Sequence, residues 1–189
     1  MMSQADLARN VARVRAGETD AWGQLYEELA PSVFRLCRRV LPTREDTEDA
    51  TTEIFLKVRL RLDQYDSSRP FRPWLYKLAS NHCWDELRKR QVRGETEAGD
   101  LDALQAESSG QAQQGPLASL LAQQDRKDIR RAVAKLADRD RLAIAMRYFA
   151  ELSYQEIADV LGMNSSAVGV LLLRARRRLR QTLVEEGKA

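Results

Sequence analysis

Between Gln91 and Pro116 the chain runs through GETEAGD and AESSGQAQQG with almost no large apolar side chain. On either side of it, apolar residues recur at the 3.6-residue period of a helix, and strand-like alternation is nearly absent. A polar stretch rich in Gly, Ser and Gln cannot repay the entropy of being ordered. It therefore predicts a flexible linker over residues 91–116, joining two compact units over 1–90 and 117–189. Charge follows the same partition. The first unit carries 16 basic and 14 acidic groups, the linker one and five, the second unit 14 and nine.

The fold class is all-α: two helical domains, the second with a helix-turn-helix. Helices are expected at about 4–16, 20–29, 32–41, 46–62 and 73–90 in the first unit. In the second they fall at about 117–136, 139–149, 154–161 and 166–184. Pro31, Pro42, Pro70 and Pro73 lie at or between these segments, where a fixed φ and a missing N–H are tolerated.

Several functions are disfavoured at once. No stretch approaches the roughly 18 uncharged apolar residues of a membrane span, and the N-terminus lacks an apolar signal segment. A charged fraction of 31% fits a soluble, cytoplasmic protein with no membrane insertion. Only Cys37 and Cys83 are present, without a CxxC, and His82 is the single histidine. No disulfide framework, no metal site, no cofactor and no catalytic residue is expected.

In the second unit Ser153-Tyr154-Gln155-Glu156 forms a capping box, and Gly162 supplies the left-handed residue that ends the helix. Met163 and Asn164 turn the chain and Ser165 is placed to cap the next helix. Ala158, Gly162 and Val168 stand where a helix-turn-helix needs a small residue, a turn glycine and a buried β-branched residue. Arg174, Arg176, Arg177, Arg178 and Arg180 crowd the second helix. Such a helix suits the major groove, where phosphates reward arginine; the alternative is a solvated Arg-rich helix in an ordinary bundle. The early positions of that helix, Ser166, Ala167, Gly169, Val170 and Leu171, offer one hydroxyl and no charge to base edges. Leu171 and Leu173 fit a protein contact equally well.

In the first unit, Glu45, Asp46, Glu48, Asp49 and Glu53 fill the N-terminal half of the helix that ends near Leu62. Ile54, Phe55, Val58 and Leu62 form its buried side. The acids make either a solvated face ordered by the helix dipole or a patch that docks a basic protein surface. On the helix from Pro73 to Arg90, Leu75, Tyr76, Ala79, Cys83 and Leu87 form one stripe, the natural core face. Trp74, Lys77, Asn81, Trp84, Asp85 and Arg88 form a second stripe, followed by Lys89, Arg90 and Arg93. Indoles, an amide and cations on one face suit stacking on unpaired bases, and an aromatic stripe suits plain core as well. His82 and Cys83 are read as packing residues.

These blocks resemble the small two-domain bacterial sigma factors of the extracytoplasmic-function group, over nearly the whole length. The likeness rests on AWGQLYEELAPSVFRLCRRVL, TEDATTEIFLKV and FRPWLYKLASNHCWDELRKR in the first unit. In the second it rests on LADRDRLAIAMRYFAELSYQEIADVLGMNSSAV and RARRRLRQTL. The resemblance implies a non-enzymatic factor that binds core RNA polymerase and directs it to promoter DNA with −10 and −35 elements. It also implies control by an anti-sigma factor. Glu48, Asp49, Thr52 and Glu53 match the region that docks polymerase. Asp66, Ser67, Arg69 and Phe71 belong to the loop that receives a flipped base. Trp74, Lys77, Asn81, Arg88, Lys89 and Arg90 match the helix on the melted −10 strand. Ser165, Ser166, Ala167, Val170, Leu171, Arg174 and Arg178 match the −35-reading helix and its phosphate contacts. Three positions depart from the family: Thr52 for a usual glutamine, Arg69-Pro70 for small residues, and Gly169 and Leu171 for the usual Lys and Arg. A plain DNA-binding regulator and a metal-dependent nuclease built on the acidic helix are the rival readings.

Overall fold

The computed structural model describes residues 2–94, 128–129 and 131–186, and these residues contain helices and no strand. In the N-terminal half, α1 spans Gln4–Arg15, α2 Thr19–Val40, α3 Arg44–Arg61 and α4 Phe71–Arg93, with a 3-10 turn at Leu62–Gln64. In the C-terminal half, α5 spans Asp138–Tyr148, α6 Tyr154–Leu161 and α7 Ser165–Glu186.

Two expected boundaries are corrected. Residues 20–29 and 32–41 belong to one helix, α2, with Pro31 inside it. The proline forfeits its own backbone donor, which costs about 3 kcal/mol in a helix interior. Leu25, Leu29, Val33, Leu36, Cys37 and Val40 are fully buried along one stripe that crosses the proline. Burying such side chains contributes about 1.5–3 kcal/mol each, so the stripe outweighs the break. The second correction is at the end of α4. Gln91, Val92 and Arg93 are helical, and Gly94 at φ 72° closes the helix in the left-handed conformation. The rest of the stretch expected as a linker lies outside the described residues. So does most of the helix expected over 117–136, of which residues 128, 129 and 131–134 are helical.

The N-terminal helices close on Leu7, Val11, Ile54, Phe55, Val58, Leu75, Ala79 and Leu87. Cys37 and Cys83 meet there with their Sγ atoms 3.6 Å apart, both fully buried. The contact with Cys37 and the burial together hold the Cys83 thiol protonated, above the ordinary thiol range. They pack as small apolar groups, as the sequence suggested. The C-terminal helices close on Leu142, Met146, Leu152, Ile157, Val168 and Leu172.

The two halves touch. Phe149 at the end of α5 meets the Tyr76 ring edge-on, with centroids 6.3 Å apart, and the Arg39 guanidinium lies 4.0 Å from its centroid. Arg139 sits 5.9 Å from the Trp84 ring centroid, and Lys77 of α4 bonds Asp159 of α6 at 2.9 Å. That bond, with a second one from Gln155, holds the Asp159 carboxyl below its usual range.

Candidate functional site

Helix α3 is capped by Thr43, whose Oγ1 accepts the Asp46 amide at 3.0 Å. Ile54, Phe55 and Val58 are buried against the bundle, which turns Glu48, Asp49, Thr52 and Glu53 out to solvent. The Thr52 hydroxyl donates to the Glu48 carbonyl of its own helix at 3.0 Å. Four residues further along, and four again, Leu56 and Leu60 are 58% and 80% exposed. The buried side expected from the sequence, Ile54, Phe55, Val58 and Leu62, gave these two leucines no place. Their spacing from Thr52 was the available signal.

Behind this face lies His82, delivered by α4 and nearly sealed. Its Nδ1 is 2.6 Å from Lys57 Nζ, and its Nε2 is 3.8 Å from a Glu53 oxygen. Burial, reinforced by the Lys57 charge, lowers its pKa below the ordinary imidazole value. His82 therefore bridges α3 and α4 in its neutral form.

The loop before α4 hangs from an aromatic cluster. Tyr65, Phe71 and Trp74 meet with centroids 5.0–5.4 Å apart, and Arg15 donates to the Leu62 carbonyl at 2.6 Å while lying over the Tyr65 ring. Phe71 is fully buried, which corrects its assignment to a base-receiving loop: its ring belongs to the core. Asp66, Ser67 and Arg69 stay at the surface. Asp66 accepts the Ser68 amide at 2.9 Å and pairs with Arg69 at 3.4 Å. Trp74 is half-buried on the cluster, so it serves the core and keeps one side open. Asn81, Arg88 and Lys89 are exposed on α4, with Lys89 paired to Glu86 at 2.7 Å. Arg90 is a second correction. Its side chain is only 18% exposed and is tied to Asp46 at 3.0 Å, so it braces α4 on α3 instead of facing outward. Lys77 and Trp84 point at the C-terminal half through the contacts given above.

The capping box of α6 forms as its sequence implies: Ser153 Oγ accepts the Glu156 amide at 3.2 Å and Glu156 takes the Ser153 amide at 2.8 Å. Gly162 ends α6 at φ 61°. The cap of α7 is Asn164, whose Oδ1 accepts the Ala167 amide at 2.7 Å. Ser165 is the first helical residue, which corrects the expected cap by one position. An asparagine is as good a cap as a serine, and the shorter turn leaves the amide in register. Ser166 and Val170 are exposed and Ala167 is half-buried. Leu171 is 4% exposed against 66% for Val170, so Leu171 is a core residue and leaves the set of base-facing positions. Gly169 lies where an added Cβ would come 3.6 Å from the Tyr154 ring, an ordinary contact. Arg174 and Arg178 both reach a buried carboxylate that sequence reasoning overlooked, Asp140 of α5, at 3.3 and 3.0 Å.

An exposed acidic helix face and a helix-turn-helix thus share one chain, and comparison with known proteins meets both. Residues 25–93 match Sigma-70 region 2 and residues 126–179 match Sigma-70, region 4. The ECF RNA polymerase sigma-E factor of Escherichia coli is 30% identical over 171 residues, covering 88% of each chain. The chain belongs to the ECF RNA polymerase sigma factors. Another member, SigW of Bacillus subtilis, is 27% identical over 183 residues, covering 94% of this sigma factor and 96% of SigW. Among solved structures, CnrH in complex with the cytosolic domain of CnrY superposes with a TM-score of 0.61 at 23% identity. That match covers 95% of this chain and 98% of CnrH. RpoE in complex with the anti-sigma factor NepR from Bartonella quintana gives 0.61 at 22% identity, over 85% and 95%. These two establish the fold of the sigma factor. Among its described residues no three His, Cys, Asp or Glu side chains gather as metal ligands, and no single helix is long and apolar enough to cross a membrane.

Proposed function

We propose that this sigma factor docks core RNA polymerase through Glu48, Asp49, Thr52 and Glu53, with Leu56 and Leu60 extending the contact. The supporting observation is the exposed acidic face of α3, whose opposite side is fully committed to the core. Such a face attracts a basic helix surface and adds apolar area at its C-terminal end. Asn81, Arg88 and Lys89, with the Asp66–Arg69 loop and the open side of Trp74, take the melted −10 strand by stacking and phosphate contact. Ser166, Ala167, Val170, Arg174 and Arg178 meet the −35 duplex, where cations supply affinity and small side chains supply little base discrimination. The factor works in the cytoplasm, as a positioning component with no covalent chemistry of its own. On this reading the chain divides into a region 2 domain ending with α4, a connection, and a region 4 domain over 117–189. Holding two weak DNA contacts in one chain raises the effective concentration of each at the other's site.

Control by an anti-sigma factor rests on the likeness to RpoE, solved with the anti-sigma factor NepR, and on Val170 and Leu173, which are exposed apolar residues on α7. The docking assignment is tested by Asp49→Lys combined with Glu53→Lys. Asp49 is exposed, and Glu53 is exposed but faces His82 beside Lys57, so a small loss of melting temperature is expected while affinity for core polymerase drops about a hundredfold or more. Unchanged affinity for core polymerase refutes it and favours a plain DNA-binding regulator.

A further inference from the structure

Asp140 has no role in any reading given so far, yet its placement is costly. Its side chain is 3% exposed in the first turn of α5, and a buried carboxylate is tolerated only when it is paired and hydrogen-bonded. Its partners are two arginines one turn apart on α7. Arg174 Nη2 lies 3.3 Å from Oδ1 and Arg178 Nη1 lies 3.0 Å from Oδ2, so each carboxylate oxygen holds one guanidinium. Neutralising one buried carboxylate needs one cation. The second is surplus to that purpose.

Both arginines stay 57% and 54% exposed while paired. A guanidinium carries five N–H donors in a rigid fork, and each spends one on Asp140 in this structure. With both side chains more than half exposed, the remaining donors are available to a further acceptor. The two arginines also continue a stripe at three- and four-residue spacing, Ala167, Val170, Arg174 and Arg178, so they share a face with the residues at the start of the helix. Arg176, Arg177 and Arg180 are also exposed on α7, and no ion pair holds them among the described residues.

We infer that Asp140 is a positioning residue for duplex binding: it anchors Arg174 and Arg178 so that their free donors meet successive phosphates beside the −35-reading stripe. This rests on the reading of α7 as the duplex-facing helix. An anchored guanidinium loses less rotamer freedom on meeting a phosphate, which is how a buried negative charge strengthens binding to a polyanion.

The test separates sign as well as size. Asp140→Asn raises the net charge from +3 to +4, so charge alone predicts tighter DNA binding and a steeper salt dependence. Positioning predicts the reverse. For the full chain on a mixed-sequence duplex, affinity should fall about tenfold, and the slope of log affinity against log salt should shrink by about one. Binding as tight as the parent or tighter, with an unchanged or steeper slope, overturns the inference. The Arg174→Ala, Arg178→Ala double variant is the reference. If it leaves the slope unchanged, neither arginine meets DNA, and the duplex-facing reading fails together with the inference. If it flattens the slope while Asp140→Asn does not, only the inference fails. Should Asp140→Asn lose its helical signal, Arg178→Lys decides, because it keeps both charge and surface position. Affinity close to that of Arg178→Ala supports anchoring, and affinity equal to the parent overturns it.

Discussion

Leu171 and Val170 are neighbours with opposite fates, and that contrast makes a sharp test of α7. Val170→Arg places a cation on the exposed face and is expected to leave stability within about 0.5 kcal/mol while tightening duplex binding. Leu171→Arg forces a charge into the core and should destabilise the C-terminal helices by about 3 kcal/mol or more, read by chemical denaturation. His82 provides a second test at this scale. Desolvation and Lys57 hold its folded-state pKa below 6.5, while Glu53 and Glu86 oppose and Lys89 reinforces the shift. Between the folded and unfolded values the unfolded chain binds more protons, so stability rises with pH across that window. The contribution is fully present above the ordinary 6.5 and is lost as pH falls through the lowered value. His82→Gln should flatten that stretch of the stability profile; an unaltered slope would mean that His82 does not titrate with folding.

Among the elements, the caps of the helix-turn-helix carry the clearest expectations. Ser153→Ala removes a reciprocal cap and should cost about 1 kcal/mol, and Gly162→Ala adds a Cβ at φ 61° for a cost of about 1 kcal/mol. Thermal melting of each variant measures both. The helices themselves were legible because their signals are local: the Ser153–Glu156 box and the glycine of the turn appear in the structure at the residues that implied them. What was not legible depends on partners distant in sequence. Pro31 reads as a terminus until the buried stripe on both sides of it is known. Phe71 and Arg90 read as DNA-facing until Tyr65 and Asp46, on other elements, claim them. Asp140 was silent because nothing near it in sequence says that its carboxylate is enclosed. The acidic face of α3 was half legible: periodicity set the acids apart from Ile54, Phe55, Val58 and Leu62, the resemblance added Thr52, and only the structure adds Leu56 and Leu60.

At the scale of the whole molecule, α4 carries both the face proposed for the −10 strand and a contact with the C-terminal helices. Lys77 cannot hold Asp159 and a phosphate with the same donors in the same geometry. Across that contact lie one exposed ion pair worth about 0–1 kcal/mol, the Arg139 guanidinium beside the Trp84 ring, and the stacking of Tyr76, Phe149 and Arg39. Asp159→Ala with Phe149→Ala should therefore enlarge the radius of gyration in small-angle scattering without loss of helicity, and binding to a single-stranded −10 probe should improve. The central claim is that the α3 face recruits core polymerase while α4 and α7 choose the promoter. The most direct measurement is transcription in vitro with purified core RNA polymerase on a randomised promoter library, sequencing the products. The account predicts transcripts that share −10 and −35 elements and that vanish with Asp49→Lys. Initiation that is no greater than with core enzyme alone, from a protein that still binds duplex DNA, would contradict it.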